Sequence, residues 1–306
     1  MVSMNQKILF VLGKGGVGRT TISATLGYHY SSLGLKTLIV QWTVKDTISP
    51  LFFKEQVGHK HKEIIPNLFV MNYDPEITLK EYFVDHLHMS IFYKFILENP
   101  HVKKLLQATP GLEEIFFLGR IFWLAELAKE ERGYDFDKII VDAPATGHGS
   151  AMFGVVSSIS NFKLEGPLIS EVTRVAKLME DSTKVASVVA TLPEELPFEE
   201  TLELIQFLEK EMKRPPKLLF INRSLSFFLR GDFQKYFYEE DNEYKKKFPS
   251  IYLDIINKLS YEKKIKDFFN NRIPVIALPD VIVQDPSFNS LEKIQTLARF
   301  LKNYEY

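Results

Sequence analysis

Nine consecutive residues, Gly13-Lys14-Gly15-Gly16-Val17-Gly18-Arg19-Thr20-Thr21, have the types and spacing of a phosphate-binding loop. Glycines let backbone N–H groups turn toward one anion, and a helix N-terminus beyond them adds partial positive charge. Both flanks fit. Ile8-Leu9-Phe10-Val11-Leu12 is an apolar strand candidate, and Ile22-Ser23-Ala24-Thr25-Leu26 reads as the start of a helix. In that setting the amides from Gly15 to Thr20 cradle a β-phosphate, the Thr20 hydroxyl ligates Mg²⁺, and Thr21 hydrogen-bonds the α-phosphate. The usual loop ends Gly-Lys-Thr. Here the lysine position holds Arg19, and a second basic residue, Lys14, stands early in the loop, the deviant form of the Walker A pattern. Arg19 keeps the positive charge but is bulkier and forked, whereas lysine acts as a compact point charge. The exchange is compatible with nucleotide binding while misplacing the group that stabilises the transition state. One such ionic contact is worth on the order of 3 kcal/mol, or about a hundredfold in rate.

The second constellation is Lys138-Ile139-Ile140-Val141-Asp142-Ala143-Pro144-Ala145-Thr146-Gly147-His148. A short apolar strand ends at Asp142, where a Walker B carboxylate holds the magnesium shell. Thr146-Gly147-His148 then forms a turn able to sense a γ-phosphate, with His148 its candidate catalytic member. An aspartate after an apolar strand is by itself most often a cap or loop residue. Paired with the glycine loop, and followed by Pro-Ala-Thr-Gly-His, it gains specificity.

Positioning these residues requires strands whose carboxyl ends meet. Candidate strands are Lys7–Leu12, Thr37–Gln41, Leu68–Asn72, Lys138–Val141, Val185–Thr191, Lys217–Asn222 and Val275–Leu278. Most are apolar on both faces and alternate with helical stretches, which predicts an α/β fold with a doubly wound, mainly parallel sheet. Two helical insertions, at about 76–132 and 149–181, interrupt the alternation and predict a helical layer beside the sheet. No interdomain linker is evident, so one P-loop domain over 1–306 is expected.

Composition excludes other chemistry. The chain has no cysteine, which removes disulfides, thiolate zinc, iron–sulfur ligation and a thiol nucleophile. A net charge of −1 implies no bulk attraction to nucleic acid or anionic membrane. No apolar run approaches a membrane span, and the first strand begins too early to leave room for a signal peptide, so a cytoplasmic protein that is not integral to a membrane is expected. The segment Lys235 to Lys247 mixes aromatics with both charges and reads as a solvated helix. The pairs His59/His61 and His86/His88 sit in polar settings that suit loop residues better than metal ligands. The terminal pattern Leu291, Ile294, Leu297, Ala298 and Leu301 suits a packed last helix, with a membrane-targeting helix as the alternative.

With Gly13–Thr21, Asp142–His148, Asn72-Tyr73-Asp74-Pro75-Glu76, Pro110-Gly111-Leu112-Glu113-Glu114 and Leu192-Pro193-Glu194-Glu195-Leu196 in place, most of the chain resembles the arsenite-pump ATPase (ArsA) family, whose eukaryotic relatives target tail-anchored membrane proteins. The resemblance implies an ATP- and Mg-dependent dimer in which Lys14 reaches across to the partner's nucleotide. It also implies that Asn222 reads adenine, with Pro279 in the adenine-side loop after Ile276-Ala277-Leu278. Family members follow the second strand with an Asp-Pro-Ala-His type switch whose aspartate orients the attacking water. This chain reads Gln41-Trp42-Thr43-Val44-Lys45-Asp46, so Thr43 stands at the aspartate position and Asp46 is either a displaced substitute or a helix cap. The absent cysteines also remove the family's arsenite site and its zinc clasp. Two missing parts make a heterodimer with a paralogue as plausible as a homodimer, and leave open whether ATP becomes ADP and phosphate here at all. The apolar run Ile115–Ala125 suits either a core helix or a groove for a client's hydrophobic helix. A non-hydrolysing chaperone or scaffold and a ParA/MinD-type positioning ATPase are the competing functional classes.

Overall fold

In a computed structural model of the chain, the strand candidates assemble into one eight-stranded sheet. The structure describes residues 4–82, 84, 99, 111–144, 152–154, 167–229, 237–238, 243–281 and 289–302. The strands are β1 (Ile8–Leu12), β2 (Thr37–Gln41), β3 (Lys62–Ile65), β4 (Leu68–Asn72), β5 (Lys138–Asp142), β6 (Val185–Thr191), β7 (Leu218–Ser224) and β8 (Val275–Pro279). Their order is β3-β4-β2-β5-β1-β6-β7-β8, and every pairing except β3–β4 is parallel. All seven predicted strands are present, with ends differing by at most two residues. The eighth, β3, was not expected. It is a short antiparallel edge strand whose Lys62 and Glu63 are exposed, so it lacks the two-sided apolar run that marks the others.

The sheet buries both faces. Along β1, Ile8, Phe10 and Leu12 enter one core while Leu9 and Val11 enter the other, the alternation that a pleated strand imposes. Over the Leu9 face lie α1 (Arg19–Ser32) and the last helix, α9 (Ser290–Lys302), which buries Ile294, Leu297, Ala298 and Leu301. Its apolar stripe is therefore consumed by packing. Over the Phe10 face lie α3 (Leu112–Phe122), α5 (Pro167–Glu180), α6 (Glu195–Glu211) and α8 (Pro249–Phe269). Two short helices, α2 (Pro75–Glu81) and α4 (Ala128–Arg132), flank α3, which runs through a π-helical turn at Trp123–Leu127 into α4. The side chain of Asp74 caps α2, accepting from the Ile77 N–H at 3.0 Å. Within the expected solvated helix, α7 (Glu243–Lys247) is helical with exposed lysines, and His86, His88, Pro110 and His148 lie outside the described residues.

α3 shows how the helical layer is held. Phe117 is fully buried, with Tyr73 at 4.9 Å and Trp42 at 5.0 Å between ring centroids. Those rings sit just beyond the carboxyl ends of β4 and β2, so α3 is locked against the sheet edge that faces the site. Phe117→Ala is expected to cost about 3–5 kcal/mol in a denaturant unfolding experiment, because both transfer energy and a cavity are lost.

Candidate functional site

β1 and β5 lie side by side in register, with Val11 opposite Asp142, so the loop after β1 and the carboxylate ending β5 emerge together. The chain leaves β2 outward toward β4 and β3, but leaves β5 past β1 to reach β6. β1 in turn leads back past β5 to β2, while β6 leads outward to β7, so connections diverge on either side of the β5–β1 pair and leave above it the crevice where open parallel sheets take their ligands.

The loop Gly13–Gly18 turns tightly over this crevice. Gly16 (φ 81°) and Gly18 (φ 94°) occupy the left-handed region that side chains disfavour. A Cβ on Gly18 would lie 2.1 Å from Asn222 Nδ2, so that close approach also requires glycine. Gly18 precedes α1, whose first turn has no acidic residue and whose N-cap makes no side-chain hydrogen bond. Its leading backbone N–H groups are consequently available to an anion, unlike those of α2, which Asp74 caps. Gly15 and Gly16 are exposed, whereas Val17 is buried and anchors the loop in the α1-side core.

Asp142 is buried and receives two hydroxyls. Thr20 Oγ1 donates to its Oδ2 at 2.9 Å and Ser23 Oγ donates to its Oδ1 at 3.2 Å. Donating the proton to Asp142 leaves the Thr20 oxygen lone pairs for a cation, an oxygen ligand of the kind a hard divalent ion takes alongside waters and phosphates. Burial pushes the Asp142 carboxyl above its ordinary range, opposed by the Thr20 bond, the Arg19 charge and the Ser23 bond. Arg19 shifts downward, first through burial, against the attraction of Asp142. Both charges are thus under-solvated. Ser23 was not expected from the sequence; its i, i+3 spacing from Thr20, on the same helix face, was the available signal.

Arg19 lies beside β5, its Nη1 donating to the Ala143 carbonyl at 2.5 Å. Lys14 is about one-third exposed and stands 3.7 Å from Glu200 of α6. Asn222 is buried and its Nδ2 donates to the Val17 carbonyl at 3.0 Å, tying β7 to the loop. Pro279 is buried at the end of β8, opposite Ser224, and the following Asp280 N–H donates to the Ser224 carbonyl. Thr21 is half-buried, and its carbonyl accepts from Thr25 Oγ1. The structure therefore brings Gly13–Thr21, Asp142 and Asn222 into one crevice.

After β2, Thr43 is held by backbone and Asn72. Its hydroxyl donates to the Lys45 carbonyl at 2.6 Å, and Asn72 Nδ2 donates to the Thr43 carbonyl at 3.1 Å. Asp46 is buried, and its carboxylate accepts from Gln41 Nε2 and from the N–H groups of Ile48, Ser49 and Val57. Those bonds bracket the start of the 3₁₀ turn Ser49–Phe52, from two residues ahead of its N-cap position Ile48, and weld it to the strand and to the chain at Val57. His59 and His61 are likewise structural. The ring of His59 bridges the Asp74 N–H and Glu81, and His61 packs edge-on to Tyr134 and Phe136.

A family model for anion-transporting ATPases matches residues 6–166, just over half of the chain. The chain belongs to the anion-transporting (ArsA) ATPase family. Among curated relatives, the ATPase BagA of Mycobacterium tuberculosis is 27% identical over 224 residues, covering 72% of this chain and 65% of that protein. This chain therefore spans somewhat less than two thirds of that relative's length. A putative arsenical pump-driving ATPase of Aquifex aeolicus is 28% identical over 301 residues, 86% of this chain and 97% of its own. The ATPase get3 of Schizosaccharomyces japonicus is 30% identical over 151 residues, 46% of this chain and 41% of that protein. In the helices of the described residues, none is long and apolar enough to cross a membrane.

The role of Asp46 is open to measurement. Its carboxyl lies below the ordinary range; burial pushes it up, but the hydrogen bonds from Ser49, Val57 and Gln41 together outweigh that. Its stabilisation is full above the unfolded-state value of 3.8 and is lost as pH falls through the lowered folded value. Asp46→Ala is expected to cost about 3 kcal/mol at neutral pH, because several buried donors lose a charged acceptor. The variant should also lose the acid-dependent part of its stability, read from unfolding curves between neutral pH and the acid limb.

Proposed function

We propose that the chain is one P-loop ATPase domain, elaborated by helical layers at about 76–132 and 149–181, that binds ATP with Mg²⁺ and couples that binding to dimer closure and the handling of a partner. The observation that carries this reading is the Thr20–Asp142–Ser23 cluster at the mouth of a helix whose first-turn amides are uncapped. Thr20 and Asp142 would hold the cation, which when bound neutralises phosphate charge. The amides from Gly15 to Thr20 bind the β-phosphate, and Thr21 serves the α-phosphate. Asn222 and Pro279 flank the base, with Asn222 Oδ1 left as an acceptor once Nδ2 is committed to Val17.

Lys14 acts in trans. Its present pairing with Glu200 is a partly exposed ion pair worth at most about 1 kcal/mol, so closure releases it at little cost. Arg19 acts in cis, and one arm of its fork stays on Ala143, which leaves fewer donors for a developing negative charge. With Thr43 in place of a carboxylate and Asp46 engaged by four donors, hydrolysis is slow. His148 belongs to the phosphate-sensing turn. The partner is a second copy or a more conventional paralogue, and the client class that fits the family is a hydrophobic helix or a membrane protein. A second reading, a scaffold that uses nucleotide only as a conformational ligand, is favoured by the saturation of Asp46, which leaves no carboxylate in the switch segment free to orient water.

Phosphate release from ATP by wild type, Arg19→Lys and Lys14→Ala separates these readings. The slow ATPase gives a low wild-type rate, a rise of up to about a hundredfold with Arg19→Lys and a loss with Lys14→Ala. No turnover in any variant, with binding intact, selects the scaffold or a heterodimer that needs the paralogue; a fall with Arg19→Lys contradicts the detuned loop.

Thermal melts test the metal side. Because burial raises the Asp142 carboxyl, its ionised form costs stability increasingly as pH rises from the unfolded value of 3.8 through the folded one. Asp142→Asn should therefore melt no lower than wild type without nucleotide at neutral pH, with the difference fading toward acid. ATP with Mg²⁺ should raise the wild-type melting temperature and leave that of the variant nearly unchanged.

A further inference from the structure

On the helical side of the sheet, α2, α3, α4, α5 and the segment at Lys60–His61 enclose a cavity of about 520 Å³. None of its described lining residues belongs to the phosphate-binding loop, to Asp142 or to Asn222. Its volume falls in the range of small-molecule sites, which run roughly 300–1,000 Å³. Much of the wall is apolar and aromatic, with Phe116, Phe122, Trp123 and Tyr134 among the lining rings.

One charged group is built into that wall. Arg120 is mostly buried, and its Nη1 donates to Glu81 Oε2 at 2.8 Å. The same carboxylate oxygen lies 3.2 Å from His59 Nε2, and His59 Nδ1 faces the Asp74 N–H at 3.2 Å. Since Nδ1 must accept there, Nε2 carries the proton and donates to Glu81. This chain fixes one side of the guanidinium, and the Trp123 ring, 4.6 Å from its centre, fixes the plane. The remaining edge is different. Arg120 Nε is buried without a hydrogen-bond partner, a costly condition for a charged donor that an acceptor in the cavity would relieve.

The charge of the acceptor follows from the lining. Lys60, Arg120 and Arg132 oppose Glu81 and Glu131, three cations against two carboxylates. Glu131 already accepts from Trp123 Nε1 at 2.6 Å. His61 adds no cation, because burial and then the nearby Arg120 push its pKa down. Among the described lining residues the cations outnumber the carboxylates by one.

We propose that this cavity is a second ligand site, which binds a small amphipathic carboxylate carrying one negative charge. The apolar body lies among the aromatic rings, and the carboxylate takes the Nε edge of Arg120, the side-on geometry in which a guanidinium fork matches a carboxylate. Water alone leaves the aromatic walls uncovered.

Gly119 provides a clean obstruction. It lines the cavity, and a Cβ built there meets nothing within 4 Å, so a larger side chain grows into the space without displacing the fold. The full chain is titrated with naphthoate and with its neutral counterpart, naphthamide, by calorimetry. In parallel the Trp42→Phe form is followed by fluorescence, since the chain has two tryptophans and Trp123 is then the only reporter. The expected result is one naphthoate per chain with a change in Trp123 emission, and binding of naphthamide weaker by about tenfold or more. Gly119→Leu should abolish binding. Arg120→Lys, which keeps the charge but not the fork, should weaken it about tenfold or more while naphthamide is little affected. Unchanged circular dichroism and unfolding midpoints for both variants show that they are folded. No naphthoate binding by wild type, equal binding of the amide, or indifference to both substitutions overturns the proposal. Because the readout does not involve nucleotide turnover, its failure is separable from failure of the ATPase reading.

Discussion

The hydroxyl of Thr20 on one oxygen of Asp142, with Ser23 on the other, is the contact around which the rest of the molecule is arranged. It exists only because β1 and β5 are neighbours in register, so that a helix begun just after one strand reaches a carboxylate at the end of the other. Burying a carboxylate is unfavourable unless it is paired and hydrogen-bonded. Two hydroxyls and a nearby guanidinium reduce that penalty without removing it, as the upward shift of Asp142 records. In the proposed function, a divalent cation beside Asp142 would offset the rest of that penalty.

Around this contact, the residues that the proposed function assigns to the reaction are the ones committed to contacts within the chain. Arg19 supplies charge but rests on Ala143, Thr43 is tied to Asn72, and Asp46 brackets the start of a 3₁₀ turn. The glycines, Thr20, Asp142 and Asn222 are all in position. That contrast is what the proposed slow hydrolysis or conformational signalling rests on, and one relative in the family is named a putative arsenical pump-driving ATPase.

The sheet was legible because seven of its strands are short β-rich runs, most of them apolar on both faces. The edge strand β3 was not, because Lys62-Glu63-Ile64-Ile65 is half solvated and its pairing depends on a turn at Asn67, which adopts φ 63°. The glycine loop and Asp142 were legible as motifs, since backbone chemistry constrains residue type at each position. What contacts them was not. The Arg19–Ala143 bond, the Lys14–Glu200 pair and the Asn222–Val17 tie are long-range contacts that no local pattern encodes. The same holds for Arg120, whose i, i+3 spacing to Trp123 is visible but whose partners Glu81 and His59 arrive from far along the chain.

The most direct test of the central claim is calorimetric titration with a non-hydrolysable ATP analogue, with and without Mg²⁺. The account predicts one nucleotide per chain and an affinity that falls about tenfold or more when Mg²⁺ is withheld, since Asp142 and Thr20 then lose the cation they are placed to hold. Absence of binding at millimolar analogue, or binding indifferent to Mg²⁺, would contradict it.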